Sequence, residues 1–356
     1  MVPWILLLIV PLLCGIFYGR SIKMFGHYVD ISFLFAFLVL FLFRAFRADT
    51  VGGDLENYKE AYSYLVDFDL RSMAVISASG YESGFVVYNA LLNKITDNFQ
   101  IELIATALIT TFGLLKGIYD NSKNPGASLY IYITMYFYGA TFNNERQAIS
   151  MAILLMSLIY IKQRKIYRFI LLVFIAALFH TTSLAFALMY PLYNLKLSKI
   201  YWILALFFAI VFYAFGGSII NLLVSSIYYD KYHGSDLMLG GGYIYFALLL
   251  ILVLSSFVFA AKEQKANPNK RIWIHMLVVA TIMQILSFNM GFFFRAVKLF
   301  SVSMIFYIPE MLDDMHNKRL AQFGKFSVYT LLCVYYIYSL SNDSIDLVPY
   351  KNILFN

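Results

Sequence analysis

Apolar runs of about 17 residues or more recur along this chain, each long enough to cross the hydrocarbon core of a bilayer as a helix. They lie at 2–19, 29–45, 99–119, 127–142, 146–162, 200–223, 243–261, 272–290, 296–312 and 326–341. A further apolar stretch, 168–195, has two arms too short to span. Composition agrees with this pattern. Hydrophobic residues make up 61% of the 356, and charged residues only 13%. That leaves too little charge to cover a water-soluble body of this size, where about a quarter charged is usual. The chain is expected to be an all-α integral membrane protein forming one polytopic domain over 1–356. It would have about eleven membrane-spanning helices plus a re-entrant or short-helix hairpin. The longest polar connections, 46–98 and 224–242, are expected as extracytoplasmic loops. The opening Met-Val-Pro-Trp has no basic n-region and no small-residue cleavage site, and is expected to be a retained first helix.

The net charge of +7 points to Lys- and Arg-rich cytoplasmic loops rather than to nucleic acid. Seventeen of the 27 Lys and Arg fall in six clusters: Arg20 and Lys23; Lys116 and Lys123; Lys162 through Arg168; Lys196 and Lys199; Lys262 through Arg271; and Lys318 through Lys325. All six share the cytoplasmic side if the N-terminus lies outside and the spans alternate. The 28 residues 168–195 must then enter and return on one side. Two arms of 14 residues reach only about 21 Å each, against a core of about 30 Å. A re-entrant hairpin or two short helices, with their apex at Phe179-His180-Thr181-Thr182, satisfies that condition. One long tilted helix is the rival reading. The two cysteines, Cys14 and Cys333, sit inside apolar runs, which speaks against a disulfide or a metal site.

The same alternation brings unusual polar residues to the outer side: Arg47, Asp54 and Tyr58; Glu82; Asn143, Glu145 and Arg146; the apex His180; Tyr228 and Tyr229; Arg295; and Tyr350. Plain readings exist for each. Arg47 can snorkel to head groups. Gly52-Gly53-Asp54 can be an ordinary turn, Glu145 and Arg146 a capping ion pair, and the tyrosines an interfacial belt. Together they point further, because ionisable residues at a membrane edge are costly. Three arginines facing one way suit an anion that each can grip with paired N–H donors, such as the diphosphate of a lipid-linked substrate. Arg47, Arg146 and Arg295 are the candidate diphosphate ligands. His180 is the first candidate for a general base because imidazole titrates near neutrality, with Asp54 and Glu82 second. Tyr58, Asn143, Glu145, Tyr228, Tyr229 and Tyr350 are candidates for sugar contacts. No phosphate-cradling Gly-rich loop, nucleophile elbow or zinc-protease signature is present, and no metal or other cofactor is expected.

At these residues the sequence resembles the EpsG family, a branch of the Wzy-like polysaccharide polymerases. The matching pieces are Arg47-x-x-Thr-Val-Gly-x-Asp54-x-x-x-Tyr58, Glu82-x-Gly84-Phe with Asn89, and Arg146-Gln-x-Ile-Ser with the basic turn at Lys162. Ala176-Ala-Leu-Phe-His180-x-Thr-Ser, Arg295 and Pro349-Tyr350 follow in the family's order. The resemblance implies a GT-C-like, metal-independent glycosyltransferase in the bacterial cytoplasmic membrane with an outward-facing site. Such an enzyme joins undecaprenyl-diphosphate-linked oligosaccharide repeat units into surface, capsular or exopolysaccharide. It also implies a chain-length regulator and a flippase as partners beside the lipid bilayer. Rival functions are a flippase or transporter of lipid-linked oligosaccharide, an O-antigen ligase-type transferase or acyltransferase, and a scaffold in a synthesis complex.

Overall fold

The computed structural model describes residues 1–24, 27–65, 69–223, 242–258, 267–288 and 291–354. The expected 224–242 loop, with Tyr228 and Tyr229, lies almost wholly outside them. The described chain is helical apart from one antiparallel hairpin, β1 (Ser21–Met24) and β2 (His27–Asp30). It packs as two compact units, residues 1–184 with 323–356, and residues 185–322.

In the first unit, α1 (Val2–Leu6) and α2 (Ile9–Phe17) take the place of the first expected span, broken at Leu7–Leu8. Asp30 closes the hairpin and caps α3 (Ile31–Ala45) by accepting from the Ser32 N–H at 2.8 Å. The 46–98 connection, expected as a polar loop, instead carries α4 (Leu55–Tyr64), α5 (Leu70–Ala78) and α6 (Ser83–Asn93). Its apolar face buries Ala61, Leu65, Ile76, Val86 and Ala90 together. α7 (Gln100–Asn121) packs on α3 and on α10 (Glu145–Lys162). Gly113 and Gly117 make the second contact close: a Cβ on either would stand 2.8 Å or 2.6 Å from the Cβ of Ala152 or Leu155. Small residues four apart let two helix backbones approach in this way.

The expected span 127–142 is two helices, α8 (Pro125–Thr134) and α9 (Phe137–Ala140). Tyr136, at φ +63°, breaks the helical ladder between them. α11 (Ile166–Phe179) stops at His180, whose backbone is extended, and residues Thr181–Leu188 continue as a 3-10 turn before α12 (Met189–Leu192). The stretch 168–195 is therefore not one continuous helix, and the break falls at the expected apex.

The second unit centres on α15 (Pro268–Ser287), which starts with the Asn267 cap and Pro268 in its first turn. α13 (Lys199–Leu223), α16 (Phe294–Ser301), α17 (Met304–Asp313) and α14 (Tyr243–Val258) all pack against it. The expected span 296–312 is broken between α16 and α17. α18 (Lys318–Asn342) returns the chain to the first unit. Among the described residues, Gln100–Asn121, Lys199–Ser218 and Pro268–Ser287 are long and apolar enough to cross a membrane. Five shorter apolar helical segments accompany them.

Helix directions sort the ends of the first unit. Gly113 faces Ala152 and Gly117 faces Leu155, so α7 and α10 run parallel. Gln100 donates to the Ala45 carbonyl at 2.5 Å while the Tyr119 hydroxyl meets Ser32 at 2.6 Å, so α3 runs antiparallel to α7. One end of the bundle thus gathers Arg44, Arg47, Gln100 and Glu145. The C-terminal tail seats there too. The Gly52 and Gly53 N–H groups donate to the carbonyls of Asp346 and Ile345 at 2.9 and 3.1 Å. The Ala48 N–H donates to Lys351 and the Ile353 N–H to Phe46. Trp4 Nε1 donates to the Leu347 carbonyl at 3.0 Å.

Candidate active site

Arg44 lies in the last turn of α3, and Arg47 follows just past its cap, where its backbone bridges to Asn352 of the tail. Both are turned inward, each 1% exposed, because the turn after α9 offers them acceptors. Arg44 donates to the Thr141 carbonyl at 2.8 Å and Arg47 to the Phe142 carbonyl at 2.9 Å. Arg44 also donates to the Thr110 hydroxyl, and both guanidiniums meet Glu145, which is fully buried: Arg44 at Oε2, 2.5 Å away, and Arg47 at Oε1. The Arg47 guanidinium also lies over the Phe142 ring, 4.6 Å from its centroid. Breaking a fully enclosed ion network is expensive because a desolvated charge is left without its counter-charge. The Arg44–Glu145–Arg47 triad therefore fixes the start of α10. A second buried carboxylate, Glu102 in the first turn of α7, accepts from Thr106 at 2.8 Å and adds its field at Arg47.

The next residue along α10 meets different surroundings. Arg146 reaches Glu82 Oε2 and donates to the Gly80 carbonyl at 3.2 Å. Its guanidinium covers the Tyr81 ring at 4.8 Å and bonds the Tyr58 hydroxyl. Its Nε is buried without a hydrogen-bond partner. The other oxygen of Glu82, Oε1, lies 3.3 Å from His180 Nδ1 and accepts from the Thr181 N–H at 3.2 Å. This cluster stays partly open: the Arg146 and Glu82 side chains are 18% and 16% exposed. Burial alone would raise the Glu82 carboxyl, but the His180 hydrogen bond and the Arg146 charge outweigh it and pull the pKa down to about 2. Burial pushes the Tyr58 hydroxyl up to about 12, so it remains a donor at neutral pH.

Local packing explains how helices far apart in sequence bring these groups together. Gly84 has no side chain to hold α6 off α11; a Cβ there would lie 2.6 Å from the Leu178 Cβ and 2.7 Å from its carbonyl oxygen. This contact brings Glu82, at the cap of α6, beside His180, just past the end of α11. Gly52, at φ +121°, lies so close to the Phe142 carbonyl that a Cβ would stand 2.4 Å from its oxygen. That approach lets Asn143 grip Asp54, accepting from the Asp54 N–H at 2.7 Å and donating to Asp54 Oδ2 at 3.1 Å.

The first unit thus brings together Arg47, Asp54, Tyr58, Glu82, Asn143, Glu145, Arg146 and His180. Tyr350 reaches the same end of the bundle; its ring stacks on Phe43 at 4.1 Å and its hydroxyl donates to the Phe43 carbonyl at 2.6 Å. Arg295 lies in the second unit, in the first turn of α16. Tyr228 and Tyr229 fall outside the described residues. Arg44 and Glu102 were not singled out by the sequence reading, although a charge set inside an apolar run is a signal for both. Among the described residues, no group of three or more His, Cys, Asp or Glu is placed to hold a metal ion.

No curated protein and no solved structure matches the chain significantly. The EpsG family pattern matches residues 30–352, from the cap of α3 to the docked tail, and so takes in every site residue named above. With that match and its long apolar helices, the chain is a membrane protein that belongs to the EpsG family.

Proposed function

We propose that the chain is a polysaccharide polymerase that transfers a lipid-diphosphate-linked glycan onto the next lipid-linked repeat unit. In this reading the helices form about eleven crossings of a GT-C-like fold. The carrier is undecaprenyl diphosphate, and the site faces outward from a bacterial cytoplasmic membrane. The observation that carries the reading is the Arg146–Glu82–His180 cluster, partly open at Arg146 and Glu82 with His180 buried behind them, inside the span matched to the EpsG family.

The acceptor hydroxyl oxygen bonds to the anomeric carbon of the donor glycan. The bond from that carbon to the diphosphate oxygen breaks, and its electron pair leaves on the lipid diphosphate. Charge develops on the leaving group, so a fixed guanidinium close by lowers the barrier. Arg146 has that position and keeps part of its side chain exposed. The same role proposed for Arg295 rests on the sequence. The proton of the acceptor hydroxyl passes to His180: a proton held on Nδ1, facing Glu82 Oε1, leaves the lone pair of the imidazole on Nε2. Glu82, held near 2, is too weak a base at neutral pH and acts instead by orienting His180 and Arg146. Arg47 and Glu145 act through Arg146 as positioning residues. Tyr58, Asn143 and Asp54 border the sugar.

Purified protein supplied with a lipid-diphosphate-linked repeat unit is expected to give a ladder of longer products. His180→Gln is expected to abolish the ladder while membrane insertion stays normal. Transport of the unit across vesicles with no ladder would make the protein a flippase. A single transfer to an unrelated acceptor would make it a ligase. A full ladder from His180→Gln would move the base to Asp54.

A further inference from the structure

Away from the ionic site, α2, α8 and α18 enclose a groove of about 620 Å³. Helix directions place it at the opposite end of the first unit. The Tyr336 hydroxyl on α18 donates to the Trp4 carbonyl at 3.0 Å, near the ionic site, while Lys325 to Cys333 lie further back along the same helix against Pro11 and Gly15. The groove follows α18 from Lys325 to Cys333, about 12 Å at 1.5 Å per residue. Its volume falls in the range of about 300–1,000 Å³ typical of small-molecule sites.

Its walls are built for a chain-like apolar guest. Gly126 on α8 lets α2 come close; a Cβ there would lie 2.8 Å from the Pro11 carbonyl oxygen. Gly15, across from it, faces open space: a Cβ would meet nothing within 4 Å. Tyr130 and Tyr329 form the back, with ring centroids 5.3 Å apart and the Tyr130 hydroxyl donating to the Tyr329 carbonyl at 2.8 Å. Leu12 and Phe326, on the rim, are 64% and 72% exposed, so the groove opens sideways through apolar side chains. In a membrane protein that direction is the bilayer.

Among the described residues lining the groove, Lys325 is the one charged side chain. Asn124 lines the groove as well, and Lys123 precedes it in sequence. Arg20 follows α2 at this same end. Basic pockets between membrane helices attract anionic head groups, by roughly 1 kcal/mol for each Lys or Arg near the surface. We propose that this groove is a binding site for an anionic phospholipid, its phosphate at Lys325 and Asn124 and an acyl chain running toward Cys333.

The chain carries its own reporter. Cys333 lines the groove and is partly exposed, whereas Cys14, the other cysteine, is fully buried. The experiment measures the rate of Cys333 alkylation by N-ethylmaleimide in detergent, by mass spectrometry. Phosphatidylglycerol, phosphatidylcholine with the same acyl chains, or undecaprenyl phosphate is added in separate arms. Protection at one site scales as 1 + [L]/Kd, so phosphatidylglycerol at about nine times its Kd slows alkylation roughly ten-fold. Phosphatidylcholine at the same concentration is expected to slow it several-fold less. Lys325→Gln should erase the difference between the two phospholipids, and Lys325→Arg should keep it. Gly15→Leu, which fills the groove, should lower the amount of phosphatidylglycerol retained after purification. Equal protection by both phospholipids overturns the site, since any lipid annulus would do the same. Stronger protection by undecaprenyl phosphate than by phosphatidylglycerol overturns the choice of ligand.

Discussion

Glu145 and Arg146 are neighbours in the first turn of α10, yet they serve two different clusters. A step of one residue turns a helix by about 100°, and that rotation separates a closed network from an open one. Glu145 points inward, where Arg44 and Arg47 take both of its oxygens out of reach of solvent. Arg146 points to the rim, where Glu82, Tyr58 and Tyr81 hold it and part of it stays exposed. The contrast teaches that charge at the end of a membrane helix is not one signal. Where both oxygens of a carboxylate are taken by buried guanidiniums, the charge builds architecture. Where a guanidinium keeps part of its surface exposed, solvent can reach it.

The largest effect is expected from Glu145→Ala. It strands two buried guanidiniums and should cost about 3–5 kcal/mol, read as a collapse in the amount of folded protein recovered from membranes. Normal recovery would show that the two clusters do not differ as described. Arg146→Lys is expected to leave the thermal midpoint in detergent nearly unchanged. It should cut polymer yield by roughly 100-fold or more, the usual loss when one transition-state donor is removed. Arg47→Lys should weight the two effects the other way, lowering the midpoint markedly while each folded molecule loses far less activity than with Arg146→Lys. If the two lysine variants behave alike, the division between floor and rim fails.

A subtler contrast lies in pH. The Glu82 carboxyl sits near 2 in the folded protein and near its ordinary 4.5 when unfolded. Because the folded value is the lower one, ionised Glu82 stabilises the fold above about pH 4.5, and that contribution is lost as pH falls from 4.5 toward 2. Glu82→Gln should flatten the acid limb of a stability profile over that window; an unchanged limb would assign it to other carboxylates. The smallest effect is expected from Lys59→Gln. Its partner Asp49 is exposed like itself, and surface pairs contribute about 0–1 kcal/mol. A change above about 1 kcal/mol in unfolding free energy would show that this pair is shielded from solvent.

The legible part of the fold was its apolar rhythm. Long runs such as 99–119 became helices because length and hydrophobicity alone demand it. The break at His180 was legible for a related reason, since 28 residues are too many for one crossing and too few for two. The breaks at Leu7–Leu8, Tyr136 and Val302–Ser303 were not, because side-chain character runs through them unchanged and only backbone dihedrals or packing differ. The helices of the 46–98 connection were hidden by their polar outer faces. Much of the site could be read as a set of unusual residues on one side. Their pairing could not: Glu145 lies about a hundred positions from Arg44 and Arg47 in sequence, and nothing local tells which of two adjacent charges faces inward. Gly52 reads as a turn glycine and Gly84 only as part of a motif, whereas both let backbone carbonyls of distant segments come within touching distance.

The docked tail has a consequence for biogenesis. Residues 343–353 lie against 46–53 and under Trp4, so strands of backbone separated by nearly the whole chain complete one floor. During synthesis that floor stays unfinished until α18 and residues 343–353 after it have been made. A nascent chain stalled anywhere earlier would carry Arg44 and Arg47 without the backbone clasp that closes over the segment after them.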